Sequence, residues 1–185
     1  LSAAASAGGE VELLDTDYRQ LSTVTAVLAE AGCRVRSGPD RVTLRRDQPL
    51  KGVRPIRTAP YPGFPTDAQP PVMAALAKGT GTTVFVENMF ESRYRHVDEL
   101  CRMGADIRVE GRVAVVCGVE RLHGAGLRAA DLRGGAALVV AALGAEGRSE
   151  LTGLDHIDRG YQELEATLRS LGADITRTGG PLQNL

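Results

Sequence analysis

Two aspartates and three arginines are the residues best placed to do chemistry. Asp67 closes the run Phe64-Pro65-Thr66-Asp67, and Asp131 opens Asp131-Leu132-Arg133. Each stands where an apolar helical pattern begins, and Pro60, Pro62, Gly63 and Pro65 stiffen the loop ahead of the first. A carboxylate in such a place can accept the free N–H groups of the first helical turn, which stabilises a helix by ~1 kcal/mol. Held rigidly beside a substrate hydroxyl, it can also take a proton as a general base. One role does not exclude the other. Arg93, Arg133 and Arg159 lie at the ends of elements in one recurring pattern. Guanidinium groups grip carboxylate and phosphate through paired hydrogen bonds, so the set points to an anionic ligand. The alternative is surface ion pairing, of Arg93 with Glu91 and of Arg159 with Asp158.

Other chemistries find less support. His96, His123 and His156 show no ligand spacing, so no metal is expected. There is no Ser-His-Asp order, phosphate-binding loop or G-x-G-x-x-G, and nothing calls for a cofactor. Cys33, Cys101 and Cys117 are widely spaced and form no C-x-x-C pair. They read as buried structural thiols of a protein in a reducing cytosol.

The elements that would position these residues repeat. Three amphipathic patterns end in glycine and lead into a β-rich stretch: Leu21, Val24, Leu28 and Ala31 before Gly32; Val97, Leu100 and Met103 before Gly104; Tyr161, Leu164, Leu168 and Leu171 before Gly172. Apolar spacings of three and four are the helical period, and glycine just past the last turn is a usual stop. The anchor glycines recur about every 70 residues, enough for a whole supersecondary unit. Ahead of each of these outer helices come an inner helix, ending near 8, 79 and 145, and a strand, at 10–14, 82–87 and 149–154. In the first two copies a hairpin follows, 34–37 with 41–45 and 106–110 with 113–117, turning at Gly38-Pro39-Asp40 and Gly111-Arg112. The third copy reaches only its first hairpin strand, expected at 175–177 and without a partner. The pattern at 132–145 is apolar nearly all round, the mark of a helix buried on most sides. The expected fold is α/β: repeated helix–sheet units packed with helices inside, the first repeat truncated because the chain opens partway through its helix. Residues 1–178 read as a single domain and 179–185 as a tail.

Composition agrees with an ordinary folded domain: 43% of residues are hydrophobic, 24% charged, and the net charge is -1. No basic excess suggests nucleic acid, and with 4% aromatics and no Trp there is no material for a base-stacking surface. No apolar run approaches the ~20 residues a membrane-crossing helix needs, and 1–7 lacks the basic flank of a signal peptide.

At Thr58-Ala59-Pro60-Tyr61-Pro62-Gly63-Phe64-Pro65-Thr66-Asp67 the sequence closely resembles the C-terminal half of the UDP-N-acetylglucosamine 1-carboxyvinyltransferases, which are enolpyruvyl transferases. The likeness continues through Phe90-Glu91-Ser92-Arg93-Tyr94-Arg95-His96-Val97, Leu100 to Ala105, Asp131-Leu132-Arg133 and His156-Ile157-Asp158-Arg159-Gly160-Tyr161. It implies an inside-out α/β domain of three repeats, one of two that close over a cleft, completed by a segment from the family's N-terminus. The implied reaction moves enolpyruvyl from phosphoenolpyruvate to the 3′-hydroxyl of UDP-N-acetylglucosamine, the first committed step of peptidoglycan synthesis. By this resemblance Asp67 matches the base, and the backbone at Met89 a contact to the sugar nucleotide. Arg159 matches a ligand of phosphoenolpyruvate, Arg133 and Asp131 match residues beside the reacting centre, and Glu91 and Arg93 a charged pair that helps close the cleft. The family's reactive cysteine lies on the other domain, and none of the three cysteines here aligns with it. Ala68 stands where Met is common, and Gly134-Gly135 where Ala-Ser is common. The alternatives are the sister 3-phosphoshikimate 1-carboxyvinyltransferase, against which Phe-Pro-Thr-Asp and His-Ile-Asp-Arg-Gly-Tyr argue, and a non-catalytic nucleotide-sugar-binding module.

Overall fold

Three inner helices form the centre of the molecule: α1 (Ser2–Ala7), α3 (Gln69–Leu76) and α5 (Leu132–Gly144). The computed structural model describes residues 1–178; the expected tail at 179–185 lies outside the described residues. Each inner helix packs against the other two. Burial follows composition: α3 is buried from Val72 to Leu76 and α5 from Gly134 to Ala141, so neither has a polar face to offer water. Pro70 and Pro71 fall in the first turn of α3, where a missing N–H costs no helical hydrogen bond.

α3 and α5 run parallel, and α1 ends beside the last residue of α5. At one end Arg133 of α5 reaches Asp67, just ahead of α3. At the other, Lys78 Nζ donates to the Gly144 carbonyl at 2.5 Å, and Arg46 Nη2 donates to the Ser6 carbonyl at 3.3 Å. Two cations thus satisfy carbonyls that the last turns leave open. Gly144 lets α1 and α5 touch: a Cβ there would lie 2.3 Å from Ser6 Oγ and 2.8 Å from the Ser6 carbonyl oxygen.

Sheets cover this centre. β1 (Gly9–Leu14), β2 (Arg34–Ser37) and β3 (Arg41–Arg46) form an antiparallel sheet ordered β1-β3-β2. The second sheet joins β4 (Ile56–Arg57), β5 (Thr82–Val86), β6 (Asp106–Glu110) and β7 (Val113–Cys117) in the order β4-β5-β7-β6. The third pairs β8 (Gly126–Arg128) with β9 (Glu150–Thr152). The outer helices are α2 (Tyr18–Glu30), α4 (Val97–Arg102), and the pair α6 (Asp155–Asp158) and α7 (Leu164–Ser170). No helix among the described residues is long and apolar enough to cross a membrane.

The repeated inside-out α/β architecture is as expected, with three differences. β4 and β8, too short to carry a periodic signal, pair parallel with β5 and β9 across the inner helix, closing a β-α-β unit in the second and third copies. Residues 175–177 are not a strand, because no second strand among the described residues lies beside them to complete a ladder; the Ile175 carbonyl instead accepts from Arg169 Nε at 3.0 Å. The third outer helix is broken, Glu163 taking a left-handed φ of 44° between α6 and α7.

Candidate active site

Asp67 lies in a 3-10 turn, Thr66–Ala68, that leads into α3. It does not cap that helix: the cap position is Ala68, and no side chain bonds there. The carboxylate is gripped by two arginines instead. Arg93 Nη2 donates to Oδ1, and Arg133 Nη2 donates to Oδ2 at 2.8 Å. Arg93 comes from the loop after β5 and Arg133 from the first turn of α5, so two repeats meet on one carboxyl group. Burial pushes the Asp67 carboxyl up, but the hydrogen bonds and charges of Arg133 and Arg93 outweigh it and hold the group below the usual carboxylate range. Burial opposes the Arg133 charge in turn, and Asp67 and Tyr161 more than restore it.

Both arginines are backed by aromatic rings. The Arg93 guanidinium carbon lies 5.1 Å from the Phe90 ring centroid, and that of Arg133 lies 5.6 Å from the Tyr161 ring. Arg133 Nη1 also donates to the Tyr161 hydroxyl at 3.0 Å. The Arg93 side chain is 16% exposed while Asp67 is 54% exposed, so the arginines are fixed from below and the carboxylate faces outward.

Asp131 follows the capping reading. Its Oδ1 accepts from the Gly134 N–H at 2.7 Å, fixing the first turn of α5 and with it Arg133. The paired glycines, which on sequence only weaken a helix start, have a packing role. A Cβ at Gly135 would lie 2.7 Å from Ile157 Cγ1, and one at Gly134 2.8 Å from Asp131 Oδ2. Through Ile157 the segment with Arg159 docks on α5, and Gly160 abuts Leu132, where a Cβ would lie 2.6 Å from Cδ2. Arg159 is exposed and has no hydrogen bond or ion pair among the described residues.

The ion pairs suggested by sequence proximity do not form. Arg93 pairs with Asp67 rather than Glu91, and Glu91 pairs with Arg112 at 3.3 Å. Asp158 is taken by Arg177 rather than Arg159. Arg93 thus reaches a carboxylate on another element, while Arg159 reaches none among the described residues. Met89 is 43% exposed, and its N–H is bound to Glu87 Oε1 at 2.8 Å, which leaves its carbonyl as the backbone group on offer.

Glu87 itself is absent from the residues singled out by sequence. It is 1% exposed and sits at the end of β5, on the same inward phase as Thr83 and Phe85. A carboxylate continuing the buried phase of a strand was the available signal. Among the described residues no three His, Cys, Asp or Glu side chains gather as a metal would need.

The sequence model of the EPSP synthase (3-phosphoshikimate 1-carboxyvinyltransferase) family matches residues 1–168. The chain belongs to this family of enolpyruvyl transferases. Relatives that carry the name UDP-N-acetylglucosamine 1-carboxyvinyltransferase include the following two. The one from Desulfofundulus thermocisternus is 54% identical over 95% of this chain and 72% of its own length. The other, numbered 2, from Caldanaerobacter subterraneus subsp. tengcongensis, is 47% identical over 96% of this chain and 42% of its own length. The enolpyruvyl transferase NikO from Streptomyces tendae superposes with a TM-score of 0.84 at 30% identity, covering 97% of this chain and 44% of that one. The family's inside-out α/β fold is therefore present, in a chain that spans 42% of the length of relatives such as the Caldanaerobacter enzyme.

Proposed function

We propose that the chain supplies one wall of a site that transfers enolpyruvyl from phosphoenolpyruvate to the 3′-hydroxyl of UDP-N-acetylglucosamine, in the cytoplasm, as the first committed step of peptidoglycan synthesis. The observation that carries this reading is the outward-facing Asp67 carboxylate held by arginines from two repeats, in a chain 47% and 54% identical to relatives of that name. The remaining length of those relatives would supply the opposite wall and the acid that protonates the enol carbon. Protonation makes C2 of phosphoenolpyruvate electrophilic, and the sugar hydroxyl attacks it as Asp67 takes the hydroxyl proton. The tetrahedral phospholactyl adduct then loses a proton and phosphate to give the enol ether.

Both arginines on one carboxylate make Asp67 anionic but weakly basic. An incoming phosphate or carboxylate competes for Arg133, and each guanidinium drawn away returns basicity to Asp67 when the substrate is in place. Arg159, unpaired among the described residues, would bind phosphoenolpyruvate beside it. The Met89 backbone would meet the sugar nucleotide, Asp131 would hold the start of α5 at the reacting centre, and Glu91 and Arg93 would take part in cleft closure. The test is phosphate release by a hybrid of this chain with the part of a relative that it does not cover. Release with UDP-N-acetylglucosamine, lost at least a hundredfold in Asp67→Asn, is expected (~10²–10⁴ for a general base). Release with shikimate 3-phosphate instead would assign the sister reaction, and substrate binding without release would favour a binding module.

A further inference from the structure

Glu87 accepts four hydrogen bonds. Oε1 takes the Thr58 hydroxyl at 2.9 Å, the Met89 N–H at 2.8 Å and the Phe90 N–H at 3.1 Å; Oε2 takes the Thr66 hydroxyl at 3.0 Å. The Thr58 hydroxyl also accepts from the Asn88 N–H at 2.8 Å, so its own proton is committed to Glu87. One carboxylate therefore fastens both ends of the 58–66 loop to successive backbone groups of 88–90. Asp67 is the next residue after Thr66, and the Met89 carbonyl leaves the same knot.

The repeat supplies an internal control. In the second copy Arg57 pairs with Val86 and the Thr58 N–H bonds to the Val86 carbonyl. In the third, Arg128 pairs with Thr152 and the Ala129 N–H bonds to the Thr152 carbonyl. Thr58 thus corresponds to Ala129, and Glu87 to Gly153. The third copy builds the same β-α-β unit with no hydroxyl or carboxylate at these places, and there Asp131 caps its helix directly. The knot occurs in the copy that has a long loop ahead of its inner helix and whose aspartate is released from capping; in the third copy only Ala130 separates Ala129 from Asp131.

We infer that Glu87 is a positioning residue that ties the loop bearing Asp67 to the backbone at 88–90, fixing the base and the acceptor contact in one register. This rests on the proposed function, and the test separates the two. It uses the hybrid enzyme, with kcat, KM for UDP-N-acetylglucosamine and the unfolding midpoint measured for each variant. Thr66 is only half-buried, and Thr66→Val cuts the arm to Oε2 alone. It should lower kcat about tenfold with KM within about twofold, since small misplacement of a base is costly. Thr66→Ser, which keeps the hydroxyl, should restore kcat. Glu87→Gln keeps an oxygen for the Met89 and Phe90 N–H groups, and its NH₂ can donate to the Thr66 hydroxyl oxygen with the bond reversed, so it should keep kcat closer to the parent than Thr66→Val does. Glu87→Ala cuts both arms and should raise KM as well. A purely structural role would lower activity in step with the folded fraction and would not split kcat from KM. Thr66→Val and Glu87→Ala with both constants within twofold of the parent, in a hybrid that Asp67→Asn inactivates, would overturn the inference and leave the function standing. A parent hybrid without release, or an active Asp67→Asn, would overturn the function and the inference with it.

Discussion

Beneath the start of α5 the His96 ring is 3% exposed, and neither nitrogen has a hydrogen-bond partner. Burial pushes its pKa down to about 4; the charge of Asp131 pulls it up and that of Arg93 pushes it down. The fold therefore holds the neutral ring. Above the ordinary histidine range of about 6.5 its contribution to stability is complete. Between about 6.5 and 4 the unfolded chain takes a proton that the folded chain refuses, and on the order of 3 kcal/mol is lost as pH falls. Urea unfolding across that range should show the loss, and His96→Phe should flatten it; an unchanged slope in the variant would remove His96 as the cause. At this scale sequence was a partial guide. It offered capping and catalysis for Asp67 and Asp131 alike, and only the partners separate them, because Arg93 and Arg133 arrive from elements far along the chain. Glu87 passed unnoticed because its partners are likewise distant: two hydroxyls and two backbone groups on loops without periodic patterns.

Secondary structure was the most legible level. The hairpin strands at 34–37, 106–110 and 113–117 fall where alternation and turn residues put them. Glycine stops ended the outer helices, and the apolar pattern at 132–145 announced a buried helix. Signals failed where an element depends on its neighbour: β4 and β8 exist only through pairing, and 175–177 has no pair. Two substitutions test the packing logic by thermal or urea unfolding. Asp131→Ala removes the α5 cap and should cost about 1 kcal/mol. Gly144→Ala forces a methyl group into Ser6 of α1 and should cost about 1–3 kcal/mol, more than the helix propensity of alanine returns. If Gly144→Ala stabilises, α1 and α5 are free to separate.

For the whole molecule, sheet edges decide behaviour. Among the described residues β1 has β3 on one side only, and β9 has β8 on one side only, although β5, at the corresponding place in the second copy, is flanked by β4 and β7. Unpaired edges recruit other strands. The chain by itself should show concentration-dependent association by light scattering and no phosphate release, since one wall of a cleft cannot orient two substrates. A monodisperse monomer with turnover would contradict both expectations. The parallel arrangement of α3 and α5 has a further consequence. Peptide dipoles that alternate in direction would cancel, but aligned sets add, and here the carboxylates of Asp67 and Asp131 stand at the partly positive starts and Lys78 at the partly negative ends. Side-chain charges of opposite sign at both ends thus offset the partial charges that parallel packing would otherwise accumulate, within a net charge of only -1. Salt, with a screening length of about 8 Å at physiological strength, would weaken that compensation wherever the end charges are exposed.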